Sequence, residues 1–298
     1  MISKYKIMRG LLKRRIVREL AWRFLKVLNK GKLSEFKRQL SRSEITSYVK
    51  YSSLDVGRVV DGLEEFGAVP GLALPSGYVN YFVDYAMRTP CYADRNPAQG
   101  FYLSDREKAE DKLGKKLLLA QYFNVQKDKL INDLSKDPFL LSVAAKYLGA
   151  PPKLMSVNMW WTFPVDASAE DKAKHAHVFH FDLDDVKFVK FFFYLTDVDE
   201  GGGPHVYVKG SNKNIKYKNH LFKSKRFTDD EVIQAYGEEN VIKVLGAAGS
   251  CLVEDTITLH KGVTPTVTPR LILQFEYSIN TYPEISCVVD ESDQRVFV

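Results

Sequence analysis

The sequence predicts an α+β protein in which helices from the N-terminal half support a β-sandwich or barrel. Three observations predict it. Apolar spacing is mainly helical up to about residue 150 and changes beyond Pro152 to short segments of strand character. Turn residues, notably Gly201-Gly202-Gly203-Pro204 and the glycines at 246 and 249, separate those segments. Apolar residues make up 45% and charged residues 27% of 298, the balance of a globular chain with ample material for one large core.

Taken in order, residues 10–29 read as one amphipathic helix. Leu12, Ile16, Leu20, Phe24 and Leu28 recur every four residues, with Arg14, Arg15, Arg18 and Lys26 on the other faces. Residues 1–40 hold 13 Lys and Arg against Glu19 and Glu35, a net +11, so the rest of the chain carries −5 of the total +6. The basic character belongs to an extension, residues 1–45, and the body, 46–298, is mildly acidic, which argues against a nucleic-acid partner. Two readings of the helix stand open: weak peripheral contact with an anionic membrane, or packing on the body or a partner.

Within the body, helical support is expected over 55–150, with helices at 55–66 and, after Pro75, at 76–87. Ser104-Asp105-Arg106-Glu107 has the form of a capping box and predicts a helix through Leu119. Asp137-Pro138 predicts the cap and first turn of a helix that Gly149 ends. The core, 152–285, is predicted to hold strands at 154–163, 176–182, 187–195, 205–208, 250–254, 256–260 and 270–278. Thr228-Asp229-Asp230-Glu231 caps a helix inside an irregular insertion. Cys91, Cys251 and Cys287 are odd in number and match no zinc pattern, which predicts no disulfide framework and a reducing, cytoplasmic setting. The longest apolar runs, such as 117–120 and 191–195, are too short to span a bilayer, and no signal peptide is recognised.

His180-Phe181-Asp182 carries the chemistry. On a strand, residues i and i+2 point to the same side, so His180 and Asp182 can share one ion while Phe181 faces away. His260, at the end of another predicted strand, offers a distant third ligand. Two imidazoles and a carboxylate form the set that holds Fe(II) on one face and leaves the other open. An isolated H-x-D is more often a core histidine and a turn-capping aspartate; His260 and Arg270 shift that balance. Arg270 opens an alternating strand with Ile272, Gln274 and Glu276, and a guanidinium inside a barrel needs an anion. That anion is either a dicarboxylate co-substrate or an internal partner, Glu254 or Glu276.

These residues, together with Lys187 to Asp197, the Gly203-Pro204 to Gly210-Ser211 stretch, Gly249 to Thr256 and His260-Lys261-Gly262, resemble the phytanoyl-CoA dioxygenase family. The similarity covers roughly residues 60–285, includes Leu63 to Gly67 as the first strand region, and leaves the basic helix outside. It implies a double-stranded β-helix (a jelly-roll, cupin-like core) and an oxygenase using Fe(II), O2 and 2-oxoglutarate, with release of succinate and CO2. Residue by residue it implies His180, Asp182 and His260 as iron ligands and Arg270 as holder of the distal carboxylate of 2-oxoglutarate. Lys190 and Tyr194, on one strand face, are further candidate co-substrate contacts. Related halogenases have a small residue where Asp182 stands, so hydroxylation is expected over halogenation.

Two departures from the family pattern stand out. His177 replaces a frequent Gln and is either a supporting donor or an alternative ligand. Asn212 replaces the His of the usual Pro-Gly-Ser-His loop. The substrate is expected to be a small or carrier-linked molecule. Lys209, Lys213, Lys216, Lys218, Lys223, Lys225 and Arg226 form an acid-free insertion that, in the family, lies near the site's mouth. Either it receives an anionic substrate such as an acyl-CoA, or it is a solvated loop. Trp160, Trp161 and Phe163 are pocket walls or core. The competing readings are a non-catalytic cupin-like binding protein and a metal-dependent isomerase or hydrolase, which has no need of Arg270.

Overall fold

Alternation along two long strands organises the molecule. In the computed structural model, which describes residues 4–43, 46–51, 54–213, 226–285 and 287–298, these are two neighbours at the centre of a nine-stranded sheet. The strands in chain order are β1 (Lys50–Tyr51), β2 (Ala68–Ala73), β3 (Cys91–Ala93), β4 (Gly100–Phe101), β5 (Leu119–Tyr122) and β6 (Lys153–Thr162). They continue as β7 (Phe188–Tyr194), β8 (His205–Val208), β9 (Val241–Val244), β10 (Ser250–Glu254), β11 (His260–Gly262) and β12 (Arg270–Ser278). The large sheet runs β1-β2-β10-β7-β12-β6-β5-β3-β4 and a small one runs β11-β8-β9. The strand pairs are antiparallel, and the two sheets form a jelly roll.

Every residue of β12 is buried, because its two faces serve different ends. Leu271, Leu273, Phe275 and Tyr277 pack with Val157, Met159, Phe191 and Phe193 into the main core beneath the helices. Arg270, Ile272, Gln274 and Glu276 face the cavity between the sheets. The helices are α1 (Lys4–Leu12), α2 (Arg15–Leu28), α3 (Lys30–Ser41), α4 (Val56–Phe66), α5 (Ser76–Arg88), α6 (Arg106–Leu113), α7 (Lys129–Leu134), α8 (Pro138–Leu148), α9 (Ala169–Lys174) and α10 (Asp229–Tyr236). The caps read from the sequence hold α8 and α10. The Asp137 carboxylate accepts from Phe139 N at 2.8 Å and Leu140 N at 3.2 Å, Gly149 ends α8 in the left-handed conformation, and Thr228 and Glu231 form a full capping box.

Five local expectations are corrected. The helix expected at 10–29 is broken: α1 ends at Leu12, Arg14 is extended, and the Arg18 guanidinium donates to Leu12 O at 3.0 Å across the break. Ser104 caps nothing; a 3-10 turn leads into α6, which stops at Gly114 with φ 66°. The apolar stretch after it pairs with β6 as β5, so tertiary burial overrides the helical start. Leu63–Phe66 closes α4, the helix that the spacing placed at 55–66, so the likeness of Leu63 to Gly67 to a first strand region is corrected, and β2 begins after the Gly67 cap.

The remaining two concern the segments that carry His180, Asp182 and His260. Residues 176–182 make only bridges, Phe179 to Phe227 and His180 to His260, after α9 and a left-handed Ala176. The second strand near His260 starts at His260 itself. The Asp255 carboxylate accepts from Ile257 N at 3.1 Å and folds 255–258 into a turn. Lys216, Lys218, Lys223 and Lys225 lie outside the described residues.

Candidate active site

The bridge between two short segments builds the site. His180 N donates to His260 O at 2.9 Å and His260 N to His180 O at 2.8 Å, which sets the two imidazoles side by side with ring centroids 4.2 Å apart. Asp182 N donates to Thr256 O at 2.7 Å and fixes the carboxylate against the same turn. The Nε2 atoms of His180 and His260 lie 4.0 and 3.8 Å from the Asp182 oxygens, and one ligand atom from each residue falls within 4.8 Å of the others. Among the described residues, this is the His, Cys and carboxylate group with metal-binding spacing.

Both imidazoles are oriented from behind. His180 Nδ1 lies 3.0 Å from Val178 O and His260 Nδ1 2.9 Å from Thr258 O. A carbonyl accepts only from a protonated Nδ1, and in the neutral imidazole that tautomer leaves the Nε2 lone pair for an ion. Burial, and then the neighbouring His260, hold the His180 imidazole well below its usual pKa, so it is neutral at pH 7. Burial alone would raise the Asp182 carboxyl; Lys190 and then the two imidazoles bring it well below the usual carboxylate range. The site presents the His180 and His260 imidazole nitrogens and one anionic oxygen donor.

Lys190 is tied up by carboxylates. Its Nζ is 2.8 Å from Asp182 Oδ2, 2.9 Å from Asp184 Oδ2 and 3.8 Å from Glu276 Oε2. Burial opposes its charge, but those three neighbours hold its pKa well above normal. Tyr194 spends its hydroxyl on backbone, donating to Val244 O and accepting from His205 N, each at 2.9 Å. It is absent from the cavity wall, whereas Lys190 lines it.

Arg270 is 2% exposed, and its Nε and Nη1 have no partner among the described residues. Neither internal carboxylate pairs with it: Glu276 accepts from Ser156 at 3.0 Å, and Glu254 Oε2 lies 2.7 Å from His205 Nε2. Thr162, opposite Arg270 in the β6–β12 register, also has a buried hydroxyl without a partner. Gly262 leaves room for the guanidinium, since a Cβ there would stand 3.2 Å from Arg270 Nη2 and 3.4 Å from His177 Cδ2. His177 bonds Thr264 Oγ1 at 2.7 Å and stands outside the metal-spaced group; burial, then Arg270, push its pKa down to about 3. Asn212 donates to Leu63 O at 3.1 Å and fastens its loop to α4.

The cavity holding these groups is about 310 Å³. Trp160 lines it, but Trp161 and Phe163 face the main core, as strand alternation requires. Sequence reasoning missed its polar wall. Arg95 donates to Gln121 at 2.9 Å, Gln121 to Asn158 at 3.3 Å, Asn158 to Ser156 at 3.2 Å, and Ser156 to Glu276. The signal was polar residues two apart on β6, at 156 and 158. Also missed was His205, whose ring stacks on His260 at 5.5 Å. Burial pushes Glu254 and Glu276 up to about 8, and burial followed by Arg270 brings His205 down to about 3. At neutral pH the 2.7 Å His205–Glu254 contact is therefore between uncharged groups.

The chain matches the sequence model of the phytanoyl-CoA dioxygenase (PhyH) family over residues 28–266, so the match begins inside α2 and takes in α3. No curated protein matches it. Among solved structures it is similar to the non-heme alpha ketoglutarate dependent epimerase SnoN from nogalamycin biosynthesis. The identity is 17%, with 75% of this chain and 82% of that one covered and a TM-score of 0.51. HygX from Streptomyces hygroscopicus, with nickel and 2-oxoglutarate bound, is 17% identical, with 74% and 85% covered and a TM-score of 0.51. At such identities the likeness is one of fold.

Proposed function

Because the chain belongs to the phytanoyl-CoA dioxygenase family, we propose that it is an Fe(II)- and 2-oxoglutarate-dependent oxygenase that hydroxylates a small organic molecule. The observation that carries this reading is Arg270, a buried guanidinium whose Nε and Nη1 are unpaired among the described residues, in the same cavity as the His180, Asp182 and His260 donors. An uncompensated buried cation is costly. A dicarboxylate that reaches from the metal to Arg270 and the free Thr162 hydroxyl satisfies it, and a metal-dependent isomerase or hydrolase leaves it unexplained.

The donor set fits iron, with His180 Nε2, His260 Nε2 and Asp182 Oδ1 as ligands. Bound there, Fe(II) supplies the activation of O2 at the expense of 2-oxoglutarate. The protein's own part is positional. Val178 and Thr258 carbonyls hold both imidazoles in the ligating tautomer. Lys190 occupies Asp182 Oδ2, which directs Oδ1 to the metal. Arg270 and Thr162 receive the far carboxylate of the keto acid. The wall of Gln121, Asn158, Ser156 and Glu276 offers hydrogen bonds, and pockets for drug-sized ligands run about 300–1,000 Å³. A cavity of about 310 Å³ that must also hold the keto acid suits a compact polar group, so any anionic or CoA-like carrier attached to the substrate stays outside.

Anaerobic titration with Fe(II) and 2-oxoglutarate tests the reading. The weak visible band of a keto acid chelating Fe(II) is expected, and a fully iron-loaded protein without it would sink the assignment. Arg270→Ala removes two charge-assisted hydrogen bonds and should raise the 2-oxoglutarate requirement about 10–100-fold with iron retention nearly unchanged. Equal effects on both would make Arg270 structural. Hydroxylation is checked by product mass: a product no heavier than its substrate points to another oxidation at the same site.

A further inference from the structure

The first two helices meet the body in an unexpected orientation. α2 docks through Trp22, whose Nε1 donates to Leu148 O at 2.8 Å beneath the Lys187 ammonium, and through the buried Arg18 and half-buried Leu25. Its regular apolar stripe points away. Ile16 is 75% exposed, Leu20 62%, Phe24 64%, Val27 74% and Leu28 59%, so one face of the helix is both apolar and in solvent along its whole length. Ile7 and Leu11 of α1 are exposed as well. Packing on the body, one of the two readings of this helix, requires that stripe to be inside.

We propose that α1 and α2 seat this protein on an anionic lipid surface, with the Ile16–Leu20–Phe24–Val27 stripe among acyl chains and the flanking cations on headgroups. Charge complementarity selects the occupant. Lys13, Arg14 and Arg23 beside the stripe, and Lys30 and Lys32 just beyond it, are exposed, within a segment of net +11. A second copy would bring two such segments face to face, against their mutual repulsion. Long basic side chains bordering an apolar face place their stems along it and their charges at headgroup level, the pattern of an interfacial helix.

The seat is also tied to the catalytic cavity. Tyr5 of α1 donates to Asp184 Oδ1 at 3.3 Å, and Asp184 lines that cavity and holds Lys190. The segment that touches lipid therefore also touches the cavity wall.

Co-flotation of the full chain tests the proposal, using vesicles of phosphatidylcholine alone and with about one quarter phosphatidylserine. Binding to the anionic vesicles should be at least about tenfold tighter, and should weaken severalfold between about 0.1 M and about 0.5 M salt. The double variant Leu20→Asp, Phe24→Asp should bind at least about tenfold more weakly, with an unchanged unfolding midpoint because both positions are exposed. Equal binding to neutral and anionic vesicles overturns the proposal, as does undiminished binding by the double variant. A lipid-free dimer that Phe24→Asp dissociates, with no flotation, also overturns it and makes the stripe a self-association face.

Discussion

Lys190 stands between Asp182, Asp184 and Glu276, at 2.8, 2.9 and 3.8 Å, as their buried counter-ion. Lys190→Met leaves the Asp182 and Asp184 carboxylates uncompensated and should destabilise the metal-free protein by about 3–5 kcal/mol, the cost of breaking a buried pair from one side. A divalent ion places positive charge beside Asp182 and should restore part of the loss. Urea midpoints with and without metal decide this, and an unchanged metal-free midpoint would mean the carboxylates protonate instead. That Lys190 shares a strand face with Tyr194 was legible from their spacing; that it lines the cavity was not. Its partners were not, because Glu276 reaches it through the β7–β12 register and Asp184 through the bend that precedes β7.

At the scale of elements, the join between α4 and β2 supports the strand that carries the proposed ligand His260. Gly67 has φ 86°, and a Cβ there would stand 2.1 Å from Thr258 Oγ1. Thr258 O is the acceptor that orients His260. Gly67→Ala should therefore cost about 1–3 kcal/mol of stability through backbone strain alone, and more through the clash. It should also loosen metal retention, measured by dialysis against a chelator; a variant that loses stability but keeps full metal affinity would separate the two effects. Elements set by local chemistry were readable: Asp137 and Gly149 bound α8, and Thr228 with Glu231 opened α10. Those set by distant partners were not. The 117–122 stretch became strand because β6 lay beside it, and the Asp255 turn shortened the strand expected before His260.

Across the whole molecule, buried acids and bases give the metal-free protein a definite pH response. Glu254 and Glu276 titrate near 8 when folded against 4.5 when free, so between those values the folded chain keeps protons that the unfolded chain has released. Stability then falls as pH rises. His177 and His205, near 3 when folded against 6.5 when free, act the other way, but only below 6.5, where the unfolded chain holds the extra protons. Above about pH 6.5 the histidines are neutral in both states and the glutamates dominate. The urea midpoint of the metal-free protein should fall from about pH 6.5 to about pH 8 and then level. A midpoint that climbs over that range would show the two carboxyls already ionised at neutrality.

The sequence alone determined the chemical types. Two histidines, an aspartate and an arginine at jelly-roll spacing, the segregation of charge into residues 1–40, and the caps of α8 and α10 are all properties of residue type and order along the chain. Tertiary structure decided which groups remain without partners. Glu254 turned to His205 and Glu276 to Lys190, leaving Arg270 Nε and Nη1 and the Thr162 hydroxyl without a partner among the described residues. Trp22 took the body-facing side of α2, which left the apolar stripe to solvent. Pairing and burial depend on which strands and faces become neighbours in space, and a periodic sequence specifies a face without specifying what covers it.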